Sequence, residues 1–296
     1  MSLEPIPRLL NAASRGQYAL GYFESWNLES LQGVIDAAEQ ARAPIIIGFN
    51  GEFLSGAARR TEERIALYAA LGRAAAASAT VPCGLIFNEC PDDARLTEAA
   101  TSGFNLIMPA DPTATYEDYA SRVRSLTNHA HAHGAAVEAE IGILPCGSGN
   151  ADHATASSTT DPEIAARFVA ETGVDLLAVS VGNTHIALSG SAPLDLDLLD
   201  RIHRRVPVPL ALHGGSGIAA ESIRSALQLG VRKVNYGTYL KQRYLDAMRR
   251  ALAQGITNPH ALLGIGGDED ALVAGRLAVR DAVLERIDLL GCCGKA

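Results

Sequence analysis

The chain has 296 residues, 48% hydrophobic and 20% charged, which suits a folded domain with a large core and excludes extensive disorder. Its formal net charge of −8, with no basic stripe, excludes nucleic acid and an anionic membrane surface as expected partners. No apolar run approaches the roughly 18 residues a membrane span needs, and Pro5, Pro7 and charges stand where a signal peptide has its apolar core, so a cytoplasmic protein is expected.

Apolar, β-branched-rich runs recur at nearly even spacing, each followed by a segment of helical period, which predicts repeated βα units. The predicted strands are Tyr18–Phe23, Pro44–Phe49, Val81–Phe87, Leu106–Met108, Ala136–Ile141, Leu176–Ser180, Leu210–His213 and Lys233–Tyr236. Among the intervening segments, Leu28–Ala41, Glu62–Ala77, Tyr116–His133, Pro162–Thr172 and Ala219–Leu229 read as helices. Asp161-Pro162 marks one start, an N-cap followed by proline at the first helical position. Eight such units close into an α/β fold, a (β/α)8 TIM barrel, and further helices at Lys241–Gln254 and about 269–289 extend it at the C-terminus. No Pro/Gly/Ser-rich linker interrupts the series, so residues 1–296 are expected to form a single domain. The small, polar stretch Ile143–Thr160 has the composition and position of a lid or a surface loop. Cys83, Cys90, Cys146, Cys292 and Cys293 are odd in number and lack zinc-knuckle spacing, so they read as reduced thiols.

In such a barrel the C-terminal ends of the strands face the active site. The polar residues there are Glu24, Asn50, Glu52, Asn88, Glu89, Glu138, Glu140, Asn183, His185, His213, Asn235 and Thr238. Two histidines after adjacent strands, with Glu89 nearby, give a His2Glu set of His185, His213 and Glu89. That set would leave a coordination position open for a polarised substrate oxygen. The donor types suit Zn²⁺, with Mn²⁺ or Co²⁺ as alternatives. His129, His131 and His133 point apart on one helix and are read as a solvated helix end. Gly214-Gly215-Ser216-Gly217 and Asn235-Tyr236-Gly237-Thr238 are two small-residue turns in successive loops, after the strands where barrels often hold phosphate.

With Leu212-His213-Gly214-Gly215-Ser216-Gly217, Gly230-Val231-Arg232-Lys233-Val234-Asn235, Val137-Glu138-Ala139-Glu140 and the ending Gly294-Lys295-Ala296, the chain resembles the class II, metal-dependent ketose-bisphosphate aldolase family. The resemblance spans nearly the whole chain. It implies that His185 and His213 are metal ligands and that Glu140 stands near a second metal position. It also implies that Gly215, Ser216, Asn235 and Thr238 line a substrate phosphate site, with Gly214 and Gly237 in the same turns, and that the protein is a homodimer or homotetramer.

Four departures from the family pattern bear on chemistry. Asn88-Glu89 stands where the family has Asp-His, so the usual catalytic acid is an amide and a ligand histidine a carboxylate. Ile186 and Ser189 replace a phosphate-contacting glycine and a lysine, Glu24 and Trp26 replace asparagines, and Ala110 replaces an aspartate. With Asn88 unable to deliver a proton, Glu24, Glu52 or a lid residue such as Asp152 or His153 becomes the candidate acid. The expected activity is aldolase-type carbon–carbon lysis of a hydroxylated ketose or sugar-derived substrate through a metal-stabilised enediolate, with or without phosphate, and not of the usual fructose bisphosphate. The alternatives are an isomerase or epimerase using the same enediolate, and a non-catalytic sugar-phosphate-binding regulatory subunit.

Overall fold

A computed structural model describes all residues except 1, 57, 143, 145–158 and 185–191. Eight parallel strands form a closed barrel in sequence order. They are β1 (Leu20–Glu24), β2 (Ile45–Asn50), β3 (Cys83–Cys90), β4 (Leu106–Pro109), β5 (Ala136–Ile141), β6 (Leu176–Val179), β7 (Leu210–Leu212) and β8 (Val231–Tyr236). Closure comes from β1 pairing with β8, with Leu20 opposite Lys233 and Phe23 opposite Tyr236. The strands are buried almost throughout, as parallel strands covered by helices must be.

The helices are α1 (Ile6–Gly16), α2 (Leu28–Ala41), α3 (Gly51–Ser55), α4 (Ile65–Ser78), α5 (Asp93–Ser102), α6 (Tyr116–Ala132), α7 (Pro162–Thr172), α8 (Leu196–Arg205), α9 (Ala220–Gln228), α10 (Thr238–Leu252), α11 (Pro259–Leu262) and α12 (Ala271–Leu289). The expected cap at Asp161 is made, its carboxylate accepting from the Glu163 and Ile164 amides at 2.9 and 3.0 Å. Helices α1, α3, α5, α8 and α11 lie outside the predicted set. Helix α1 carries its apolar residues on one stripe, Ile6, Leu9, Leu10 and Ala13, all buried. Among the described residues, no helix is long and apolar enough to cross a membrane.

The C-terminal helix packs back onto the first barrel helix. Arg276 of α12 grips Asp36 of α2 through two nitrogens at 2.6 and 2.8 Å and reaches Gln32 at 3.0 Å. The approach is close because Gly33 faces the helix. A Cβ there would lie 2.5 Å from the Arg276 carbonyl oxygen. Helix propensity alone makes Gly33→Ala stabilising by about 1 kcal/mol, whereas a clash with rigid backbone costs about 1–3 kcal/mol. The clash is expected to win, and a denaturation midpoint lower than wild type in urea is the outcome to look for.

Candidate active site

The barrel's inward faces deliver the site by period-2 alternation. On β5, Glu138 and Glu140 share a face; on β8, Lys233 and Asn235 do; on β1, Tyr22 and Glu24 do. At the centre is His213, one residue past β7 and fully buried. Its Nε2 lies 2.9 Å from Glu138 Oε1, and Lys233 Nζ lies 2.8 Å from Glu138 Oε2. Burial alone would raise the Glu138 carboxyl, but Lys233 and His213 outweigh it and hold the group below its usual range. Asn183 fixes the backbone here, its amide donating to the His213 carbonyl at 3.1 Å while its Oδ1 accepts from Val181 N at 2.9 Å.

The other imidazole nitrogen faces carboxylates. His213 Nδ1 lies 3.1 Å from Glu89 Oε1 and 3.4 Å from Glu140 Oε2. Burial disfavours an imidazolium here, yet Glu140, Glu138 and Glu89 together carry the His213 pKa well above its ordinary value. The field that favours that proton favours any cation placed among these groups.

Glu89 reaches this position through a backbone irregularity. The β3–β4 register shifts between Phe87 and Cys90, and Glu89 has φ +53°, a left-handed conformation inside a strand. Successive side chains of a regular strand face opposite ways. The irregularity instead lets Asn88 and Glu89 both line the same cavity. Asn50 steadies the carboxylate, donating to Glu89 Oε2 at 2.8 Å.

That cavity, of about 310 Å³, is lined by Glu24, Asn50, Glu52, Asn88 and Glu89 on one side and by Gly214, Ser216, Asn235, Gly237 and Thr238 on the other. Of the sequence-chosen residues, Glu24, Glu52, Asn88, Glu89, Gly214, Ser216, Asn235, Gly237 and Thr238 thus meet in one pocket, and His213 links Glu89 to Glu140 next to it. Gly215 packs beneath, where a Cβ would press on Val234, Tyr236 and the Asn235 carbonyl at 2.7 to 2.9 Å. His185, Ile186, Ser189, Asp152 and His153 lie outside the described residues. Among the described residues, no group of three or more His, Cys, Asp or Glu side chains is disposed to hold a metal ion. The donors around His213 still fit one chemically, since the set is an imidazole with two carboxylates separated by distances near the edges of a small coordination shell.

Two side chains, Lys233 and Lys241, escaped the reading of strand ends, as did the role of Glu138, which that reading named. Lys233 sits at the start of a predicted strand, yet it is fully buried under Glu138. Glu138 acts on the imidazole from below. Lys241, on the first turns of α10, pairs with Glu24 at 2.5 Å. The only available signal was the i, i+2 spacing of Lys233 with Asn235 and of Glu138 with Glu140. Helix α10 starts at Thr238 with Gly237 as an N-cap lacking a side-chain bond, and both residues line the pocket.

With the fold and pocket established, comparison with known proteins decides the family. The model of the class II fructose-bisphosphate aldolase family matches residues 4–295. The chain belongs to the class II fructose-bisphosphate aldolase family. It is 32% identical to the protein YdjI of Escherichia coli (strain K12) over 286 residues, 97% of this chain and 96% of the relative. It is 30% identical to a fructose-bisphosphate aldolase of Geobacillus stearothermophilus over 301 residues, covering 100% and 99%. The crystal structure of the YdjI aldolase from Escherichia coli K12 superposes with a TM-score of 0.80 at 31% identity, covering 99% of each chain. This class II aldolase-type lyase is therefore a TIM-barrel enzyme of a family that generally depends on a divalent metal.

Two consequences of these electrostatics are measurable. Lys233→Met leaves the buried Glu138 carboxylate with the His213 imidazole as its one remaining ionic partner, which should destabilise the aldolase by about 3 kcal/mol in urea unfolding, and adding Glu138→Gln should recover part of the loss. Burial raises the Glu24 carboxyl, Lys241 offsets this only in part, and Glu89 and Glu52 add to the rise. Below the ordinary carboxylate pKa both folded and unfolded states carry the proton, and no cost arises. As pH climbs through the raised folded value, the native state must ionise a buried group and stability falls. The Tm of Glu24→Gln minus that of wild type should therefore become more positive from pH 4 to pH 8.

Proposed function

We propose that this aldolase is metal-dependent and makes or breaks the carbon–carbon bond beside a ketone in a hydroxylated substrate other than fructose bisphosphate, through an enediolate. The observation that carries this reading is His213, held from behind by Glu138 and Lys233 with Nδ1 turned toward Glu89 and Glu140. We assign His213, Glu89, Glu140 and His185 as the residues that hold the ion, with Zn²⁺ favoured by the mixed imidazole and carboxylate donors. A divalent ion there supplies the positive charge that polarises a ketone oxygen and stabilises negative charge developing on it.

The remaining steps belong to the chain. Asn88 is buried, and its Oδ1 has no hydrogen-bond partner among the described residues. In this reading it accepts a hydrogen bond from a substrate hydroxyl and orients the bond to be cleaved, a task an amide performs without moving a proton. The proton falls to Glu24, whose carboxyl is raised above its ordinary value by burial, with Glu52 at the same rim. Gly214, Gly215 and Ser216 on one loop and Gly237 and Thr238 at the start of α10 offer backbone amides, and Asn235 near the end of β8 its side-chain amide, to an anionic group of the substrate. Ser216 Oγ accepts from Tyr239 N at 3.3 Å and ties the two loops together. The reading also takes residues 1–296 as one domain of a cytoplasmic homodimer or homotetramer with a small carbohydrate as its only substrate class.

Metal content tests it directly. Purified protein should carry a stoichiometric divalent ion, and Glu138→Gln should weaken ion binding about 10–100-fold by freeing the imidazole. Aldol cleavage undiminished in both Glu89→Ala and His213→Ala would remove the metal-centred reading.

A further inference from the structure

Next to the main cavity lies a second one of about 150 Å³. The two share Glu24, Asn50, Phe53 and Lys241. The Glu24–Lys241 pair is therefore a partition with open space on both sides, not the end wall of the pocket. Beyond it the walls are the rings of Trp26, Phe49 and Tyr68, together with Ser25. Ser25 is 2% exposed, and its Oγ has no hydrogen-bond partner among the described residues. A buried hydroxyl without a partner in a cavity wall points to a ligand that brings one.

The chemistry of that ligand follows from what the walls offer. Aromatic faces take the C–H surface of a carbon chain, while a hydroxyl and the adjoining carboxyl take its hydroxyl groups. A phosphate finds no free cation here. Lys241 is committed to Glu24 and lies 4.2 Å from the centre of the Phe53 ring. Arg59 pairs with Glu63 and donates to the Phe53 carbonyl at 3.1 Å. At about 30 Å³ per water-sized group, the space holds roughly two or three hydroxylated carbons.

We propose that this second cavity is a distal subsite for the unphosphorylated, polyhydroxylated end of the aldehyde-derived half of the substrate, a half longer than three carbons. The placement of that half rests on the aldolase reading of the main cavity. The existence of the subsite does not, and Trp26 gives a readout independent of catalysis. It is the only tryptophan in the chain, so its fluorescence reports occupancy of the cavity it lines.

Titration with the six-carbon polyol galactitol should give a saturable change in Trp26 fluorescence, while glycerol and glyceraldehyde 3-phosphate at the same concentrations should not. Tyr68→Ala should weaken the galactitol response about tenfold, and Tyr68→Phe, which keeps the ring, should restore it. With dihydroxyacetone phosphate as the nucleophile, the ratio of kcat/KM for a six-carbon over a three-carbon aldehyde should fall about tenfold in Tyr68→Ala. No saturable response to galactitol, an equal response to glycerol, or a kinetic preference for the phosphorylated aldehyde overturns the proposal. A saturable response without carbon–carbon bond formation from any aldehyde upholds the subsite and overturns the aldolase reading instead.

Discussion

Glu138 is a carboxylate with no exposure at all, in the interior of the barrel. An ionised carboxylate in that position is untenable alone. It is held by two partners from elsewhere in the barrel, Lys233 on β8 and the imidazole that follows β7. Because β5 pairs with neither of these strands, the interaction crosses the barrel interior and exists only once the sheet has closed. Burying such a group is poor value for stability, since an apolar substitute often does as well. What it provides is orientation. With Nε2 fixed against Glu138, the imidazole has one rotamer, and Nδ1 is the nitrogen that faces the cavity.

The second constraint is the irregular end of β3. A glutamate at φ +53° is a conformation that non-glycine residues avoid, at a cost of about 1–3 kcal/mol. A regular strand would have sent either Asn88 or Glu89 outward. The irregular one presents an uncharged hydrogen-bonding group and a carboxylate side by side, with Asn50 from the neighbouring strand bonding the latter. Local strain here is what lets two adjacent residues serve the same cavity.

Much of the fold was legible because its signals are local. Strand β5, helix α2 and helix α7 match their expected bounds residue for residue, and in the two helices period and N-cap agree, Asn27 capping α2 and Asp161 capping α7. Strand β3 runs to Cys90, three residues past its predicted end at Phe87, because the polar pair Asn88-Glu89 reads as a loop in sequence and is held in the sheet only by its neighbours. Helix α8 is polar overall yet keeps a buried apolar stripe of Leu198, Leu199 and Ile202 that the sequence reading passed over, while α11, four residues long, offers no periodicity to read. The site divides in the same way. Residues at strand ends could be chosen because topology dictates where those ends meet. Lys233 and Lys241 could not, because what makes each of them part of the site is a partner 95 and 217 residues away, a relation no window of sequence contains.

Of the residues that depart from the family pattern, Glu24, Asn88 and Glu89 lie on one side of the cavity, and the barrel explains why they can. Each strand end is re-fitted independently of the others, so residues of β1, β2 and β3 are free to change while the loops after β7 and β8 keep their form. Gly237 shows where the two sides meet, since a Cβ there would lie 2.1 Å from Glu24 Oε2. The carboxylate has grown toward the first turn of α10 as far as a glycine allows. On the far side the donors are backbone amides and a serine; on the near side Glu24, Glu52 and Glu89 face a single lysine already engaged by one of them. A substrate with an anionic group at one end and hydroxyl groups at the other can enter such a pocket in only one direction, so its polarity fixes which carbon lies over His213.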